Sequence, residues 1–137
     1  MTLSLGTAES RSRLGWTMLR VVLAGLIAAH GWARWWAGGV EPFGDFLDAQ
    51  GFPFGFAIAA GITTLEIGGT VLLLAGSLVL PLCCVYATIY AVGIVLVHAP
   101  AGWFVVGLGR NGSEYSVLLI ASLLCVGLQH WRPRGGA

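Results

Sequence analysis

Long apolar stretches separated by short polar connections dominate this chain. Four of them are predicted to be membrane spans, over residues 14–36, 54–75, 80–97 and 113–129. A helix needs about 20 predominantly apolar residues to cross a hydrocarbon core of about 30 Å. The pattern therefore predicts an all-α fold, an integral membrane four-helix bundle whose spans are joined by short connections.

The connection between the first two predicted spans has a pattern of its own. In residues 37–53, the apolar side chains of Phe43, Phe46 and Leu47 recur at helical spacing, with acidic residues among them. An amphipathic helix of this kind lies in the membrane interface with its apolar face toward the acyl chains. We therefore expect a short interfacial helix between spans 1 and 2, ended by Gly51.

Composition supports a membrane protein and argues against a nucleic-acid partner. Of 137 residues, 57% are hydrophobic and 9% are charged, and the mean hydropathy is +0.85. A soluble domain usually carries about 25% charged residues, so this chain lacks the polar surface that water requires. The net charge is +1 and the positive side chains, all arginines, form no basic stripe.

Charge at the ends of the spans predicts the orientation. Four spans place both termini on one side of the membrane. Four arginines flank that side: Arg11, Arg13, Arg132 and Arg134. Acidic residues collect on the opposite side, and cytoplasmic segments carry an excess of Lys and Arg. We therefore expect residues 1–13 and 131–137 to be cytoplasmic tails around one transmembrane domain, residues 14–130.

Polar side chains from all four spans are predicted to meet in the outer half of the bundle. They are His30, Arg34, Glu66, His98, Arg110 and Glu114, with Trp103 nearby in the last loop. Glu66 lies near the middle of the second span, where a charged side chain costs roughly 2.5 kcal/mol or more. We therefore expect Glu66 to face protein or water. Glu66 and His30 are the candidate proton-handling, catalytic pair, and the other five are candidate ligand-binding residues.

Each of these residues also has a purely structural explanation. Glu66 could bind an arginine and hold helices together, His30 could be a packing histidine, and His98 and Glu114 suit helix ends. Convergence on one half of all four spans nevertheless favours a site. The spacings HxxxH, HExxH and ExxH are absent, so no metal site is predicted. Haem ligation by His30 and His98 is disfavoured because their expected depths differ.

Several short motifs follow one another at characteristic spacing. They are Arg20, His30 with Gly31, Gly51 with Pro53, a Gly61-x4-Glu66-x-Gly68-Gly69 pattern, His98 with Pro100, Gly102 and Trp103, and NGSEY at residues 111–115. In this order they resemble the DoxX family of small bacterial four-helix membrane proteins, over residues 14–130. The resemblance implies a multi-pass protein of the bacterial inner membrane, related to a subunit of a thiosulfate:quinone oxidoreductase. Arg34 and Arg110 depart from the usual family pattern, which leaves the ligand open.

Two functions of different classes follow from this resemblance and the polar cluster. The first is a redox-linked subunit that binds a quinone or similar lipid-soluble ligand in the outer half of the bundle. His30 or Glu66 would supply or relay protons, and electrons would come from a partner oxidoreductase or a bound cofactor. The alternative is a non-catalytic membrane scaffold or chaperone, in a partner complex or a homo-oligomer. A small transporter is disfavoured because no inverted repeat is present.

Overall fold

The helices found in the computed structural model match the predicted apolar stretches. The structure describes residues 6–131, and within that range it is helical with no strand. Three helices are long and apolar enough to cross a membrane: Ala8–Trp36, Gly55–Leu74 and Val79–Ala101. A fourth apolar helix, Glu114–Gln129, is shorter. The prediction of an all-helical membrane protein is confirmed at this level.

The first helix, α1, extends over Ala8–Trp36 and therefore begins before the predicted residue 14. The side-chain oxygen of Thr7 accepts a hydrogen bond from the backbone N–H of Ser10 at 3.2 Å, which caps the helix. Residues 8–13 are thus part of α1. Of the two predicted tails, residues 1–5 and 132–137 lie outside the described residues. They include Arg132 and Arg134.

The short helix expected between the first two spans is present as α2, Val40–Ala49. It packs against the start of the second span through Gly44, where an added Cβ would lie 2.7 Å from Phe56 Cα. Asp48 Oδ1 accepts a hydrogen bond from the backbone N–H of Gly55 at 2.9 Å and so holds the first turn of that span. These contacts fix α2 against the second span.

The second and third spans each contain a π-helical turn that the apolar pattern did not predict. The second span consists of α3 (Gly55–Thr64), the π turn Leu65–Gly69 and α4 (Thr70–Leu74). The third span consists of α5 (Val79–Gly93), the π turn Ile94–His98 and a 3₁₀ turn, Ala99–Ala101. The last helix, α6, is Glu114–Gln129. π turns are frequent at functional sites, and both of these contribute a polar side chain, Glu66 and His98, to one cavity.

Helix α1 lies at the centre of the packing. It contacts α3, the first π turn, α4 and α6, whereas α5 packs mainly on α6 and α2 packs on α3. The core between these helices contains Ile27 of α1, Leu73 of α4, Tyr86 of α5 and Leu123 of α6, all buried. Within residues 6–131, α3 and α5 are not among the helix pairs that pack extensively. A space is therefore left between them.

Candidate functional site

A cavity of about 450 Å³ occupies the space between α3 and α5. Helices α1, α2 and α6 complete its walls. Most of its lining is apolar or aromatic, including Phe43, Phe46, Ile58, Ile62 and Leu119. Small-molecule sites typically have volumes of about 300–1,000 Å³ and mainly apolar linings with a few polar groups. The size and lining are thus those of a small-molecule site.

A buried ion pair between α1 and the second span forms one polar wall of the cavity. Arg34 Nη1 lies 2.6 Å from Glu66 Oε2, and the exposed fractions of the two side chains are 20% and 3%. The expectation that Glu66 faces protein is confirmed. A short, charge-assisted hydrogen bond of this kind is among the stronger ones in proteins. The two charges satisfy each other, and the pair links α1 to the π turn.

Two further groups hold the guanidinium of Arg34 in place. Arg34 Nη1 donates a hydrogen bond to Thr63 Oγ1 at 3.1 Å, while the Thr63 hydroxyl donates to the Ala59 carbonyl at 2.8 Å. The centre of the guanidinium lies 4.6 Å from the ring centroid of Phe43, a cation–π contact with α2. Arg34 therefore connects three elements: α1, α2 and the second span.

The π turn Leu65–Gly69 positions Glu66, and neighbouring side chains bond to the backbone oxygens of this turn. The Tyr86 hydroxyl donates to the Leu65 carbonyl at 2.8 Å, and Thr70 Oγ1 lies 2.9 Å from the Glu66 carbonyl. Gly69 leaves room for the hydroxyl of Tyr86, because an added Cβ would lie 2.5 Å from it. The conformation of the π turn thus depends on Tyr86 of α5 and on Gly69 within the turn.

The histidines predicted for the site both line the cavity. His98 ends the second π turn, and its Nδ1 lies 2.8 Å from the backbone oxygen of Asn111. A carbonyl oxygen only accepts, so Nδ1 carries the hydrogen and Nε2 of the neutral ring is left to accept. His30 lies on the cavity wall one helical turn from Arg34. Both rings can therefore offer a nitrogen to a bound molecule.

The hydroxyl of Tyr90 is the cavity group that sequence reasoning missed. Tyr90 lines the cavity, and its hydroxyl oxygen is buried without a hydrogen-bond partner among the described residues. Buried hydroxyls are normally hydrogen-bonded, so one without a partner is unusual. The oxygen itself has almost no accessible surface, so a ligand atom would reach it only after a movement of the Tyr90 ring. The available signal was a tyrosine inside an apolar span, far from the interfaces where tyrosines usually collect.

Three predicted ligand-binding residues do not line this cavity. Glu114 Oε1 accepts a hydrogen bond from the backbone N–H of Val105 at 2.9 Å, so this carboxylate is bonded to the last loop. Arg110 lines a separate surface pocket of that loop, and the side chain of Trp103 is 55% exposed. The loop contributes Asn111 to the cavity instead. A ligand role for the three residues stays a prediction, without support from the cavity.

The described residues contain no group of three or more His, Cys, Asp or Glu side chains placed to hold a metal ion. The histidines and Glu66 belong to a lining in which apolar side chains predominate. With an ion pair that is already satisfied, the polar groups left for a ligand are uncharged hydroxyl and amide side chains and the imidazole nitrogens of His30 and His98. The cavity is therefore suited to an uncharged molecule with a few oxygen atoms.

Membrane-length helices around such a cavity define a helical integral membrane protein with a cavity between its helices. The family model of DoxX matches residues 15–99, more than half of the chain, and the protein belongs to the DoxX family. The matched segment includes His30, Arg34, Glu66 and His98, all of which line the cavity. Comparisons with curated proteins and with solved structures gave no match.

Proposed function

We propose that this protein binds a quinone, or a lipid-soluble molecule of similar chemistry, in the cavity between α3 and α5. The observation that carries the proposal is a largely apolar cavity whose wall includes imidazole groups and Tyr90, a residue with a buried, unpartnered hydroxyl that a movement of its ring would bring to a ligand. A quinone offers an apolar ring and carbonyl oxygens that accept hydrogen bonds. Tyr90 would donate to one such oxygen, and His30 or His98 would lie near the ring.

In this proposal the protein is a redox-linked subunit, and its own residues handle protons and charge. Reduction of a quinone adds two electrons and two protons. His30 would relay both protons from the aqueous phase, while the guanidinium of Arg34, held in place by Glu66, would lie near the ligand oxygen. The electrons would come from a partner oxidoreductase or a cofactor bound by one. Glu66, because it is paired, would mainly position Arg34.

The proposal includes a topology. We take α6 as the fourth span: its 16 residues would extend for about 24 Å at 1.5 Å per residue. Together with the three longer helices it would complete a four-helix bundle. The excess of arginines near the termini favours a bacterial inner-membrane topology in which both termini would lie in the cytoplasm. The Arg34–Glu66 pair and the cavity would then lie in the outer half.

The test compares two tyrosines of α5 that differ in their partners. Tyr90→Phe removes a hydroxyl without a partner, so the free energy of unfolding should stay the same or rise, while quinone binding weakens. A lost hydrogen bond of about 0.5–1.5 kcal/mol corresponds to a dissociation constant raised roughly 2- to 12-fold. Binding is measured by titrating a quinone into the purified protein in lipid nanodiscs.

Tyr86→Phe is the matched control. Its hydroxyl bonds to the Leu65 carbonyl and does not line the cavity, so this change should lower stability and leave quinone affinity nearly unchanged. Failure of the unmodified protein to bind any quinone saturably would end the proposal. Equal affinities for the unmodified protein and Tyr90→Phe would remove Tyr90 from the site.

A second candidate function is a non-catalytic membrane scaffold or chaperone. The observation in its favour is that Arg34 and Glu66 satisfy each other and tie α1 to two other elements, which is what a structural cluster does. In that case the apolar surface or α2 would bind a partner complex or a second copy of the chain. Absence of quinone binding, with normal stability, would favour this function.

A further inference from the structure

A second depression lies on the membrane-facing side of α5, directly beside the cavity. Its lining includes Ala91, Val95 and Leu124, and the exposed fractions of Val95 and Leu124 are 70% and 52%. Its lining contains no acidic, basic or histidine side chain. We call this depression the α5 groove. It suits a hydrocarbon chain and offers nothing to a polar group.

The α5 groove and the cavity are separated by one layer of side chains. Four residues line both spaces: Phe52, Thr88, Val92 and Leu96. The Thr88 hydroxyl donates to the Cys84 carbonyl at 2.9 Å, so its hydrogen-bonding capacity is directed to its own helix. These four side chains form the shared boundary of the two spaces, and we call this boundary the portal.

Charged, histidine and tyrosine side chains lie on the cavity side of this portal and not in the α5 groove. The residues His30, Arg34, Glu66 and Tyr90 all line the cavity, and none of them lines the α5 groove. A molecule that matches both spaces carries a compact oxygen-bearing ring and one long hydrocarbon chain. We propose that the ligand reaches the cavity sideways from the bilayer through this portal, and that its chain stays in the α5 groove.

This inference rests on the proposed function and adds the route and the ligand class. The groove gives the chain no hydrophobic gain, because lipid tails are as apolar as the groove itself. The groove acts sterically, because the hydrocarbon chain of a ligand whose ring occupies the cavity must extend into some open space outside it. Blocking the groove should therefore weaken the binding of ligands that carry a chain and leave the binding of the bare ring unaffected.

The experiment uses two probes in nanodiscs: a methoxy-substituted benzoquinone without a chain, and the same ring with a decyl chain. Ala91→Trp places a bulky side chain in the α5 groove, outside the cavity lining. We expect the dissociation constant of the decyl probe to rise roughly tenfold or more, as overpacking predicts, and that of the bare ring to change less than twofold. Partitioning into lipid is the same for all variants and cancels in the ratio.

Ala121→Trp is the matched control, since Ala121 is exposed on α6 and lines neither space. This control variant should bind both probes with the affinity of the unmodified protein. Retained binding of the bare ring verifies that Ala91→Trp is folded. If that variant does not fold, Val95→Trp replaces it, because the side chain of Val95 is 70% exposed and a larger one there disturbs the packing less. Decyl binding that is unaffected in the groove variant overturns the lateral route alone. Absence of binding by either probe to the unmodified protein overturns the proposed function as well.

Discussion

Removal of Arg34 and removal of Glu66 should have unequal effects, although the two residues form one ion pair. Arg34→Met leaves the Glu66 carboxylate without its partner, in a side chain that is only 3% exposed. Removing one member of a buried pair typically costs about 3–5 kcal/mol. In Glu66→Gln, Arg34 stays charged without a carboxylate partner. The Arg34 side chain, however, is 20% exposed and keeps its hydrogen bond to Thr63.

The smaller loss on the glutamate side follows from these contacts. The amide of Glu66→Gln retains an oxygen that accepts from Arg34, so what is lost is only part of one hydrogen bond whose full contribution is about 1.5–3 kcal/mol. The long side chain of arginine can also move its charged end toward the interface. In the double variant no unpaired carboxylate remains. The double variant should therefore lose about 1–2 kcal/mol less than the sum of the single changes.

The assay is equilibrium unfolding in mixed micelles of a mild detergent and SDS, followed by tryptophan fluorescence. Arg13→Met is the matched control: Arg13 pairs with Glu9 at 2.8 Å, but the side chains are 79% and 81% exposed. Such a surface pair should be worth under about 1 kcal/mol. The reasoning is refuted if Glu66→Gln is the costlier single change, or if the two effects add to within about 0.5 kcal/mol.

Two glycine substitutions test the contacts that shape the site, with Gly68→Ala as a common control because its Cβ would meet open space. In Gly69→Ala the added Cβ would lie 2.5 Å from the Tyr86 hydroxyl, so we expect a loss of about 1–3 kcal/mol in the same unfolding assay. A loss no larger than that of the control would contradict this reason. In Gly44→Ala the Cβ would lie 2.7 Å from Phe56 Cα, so α2 must shift away from the second span. Faster proteolysis at α2 would reveal the shift, and unchanged proteolysis would count against the close contact.

The sequence was sufficient to predict the helices because an apolar run of membrane length seldom forms anything other than a membrane-spanning helix. It also predicted the helix α2, since Phe43, Phe46 and Leu47 share one helical face. That face lines the cavity, however, and does not point toward the acyl chains as expected for an interfacial helix. His30 and Arg34 were expected on one face from their i,i+4 spacing, and both line the cavity as well. These successes all rest on local periodicity, which a single sequence carries.

The two π turns and the last loop could not be predicted in the same way. A π turn alters the helical register, and the turn at Leu65–Gly69 receives a hydrogen bond from Tyr86, far away in the chain. Glu114 was expected at the site because it opens the last helix, but its partner is the Val105 backbone within the loop. Non-local contacts decided these positions, and periodicity contains no information about them.

The partners of each polar group separate structural roles from binding roles in the cavity. The sequence emphasised Glu66, yet this carboxylate already has a partner in Arg34, and an ion pair that is satisfied in the empty protein gains little from a ligand. The Tyr90 hydroxyl, by contrast, is buried without a partner among the described residues, so the free protein bears a desolvation cost of about 1–3 kcal/mol that a ligand oxygen would offset. Binding should therefore depend on Tyr90 more than on Glu66, whereas stability should depend on Glu66 more than on Tyr90. A redox subunit predicts this opposite ordering, and a pure scaffold predicts no dependence on Tyr90 at all.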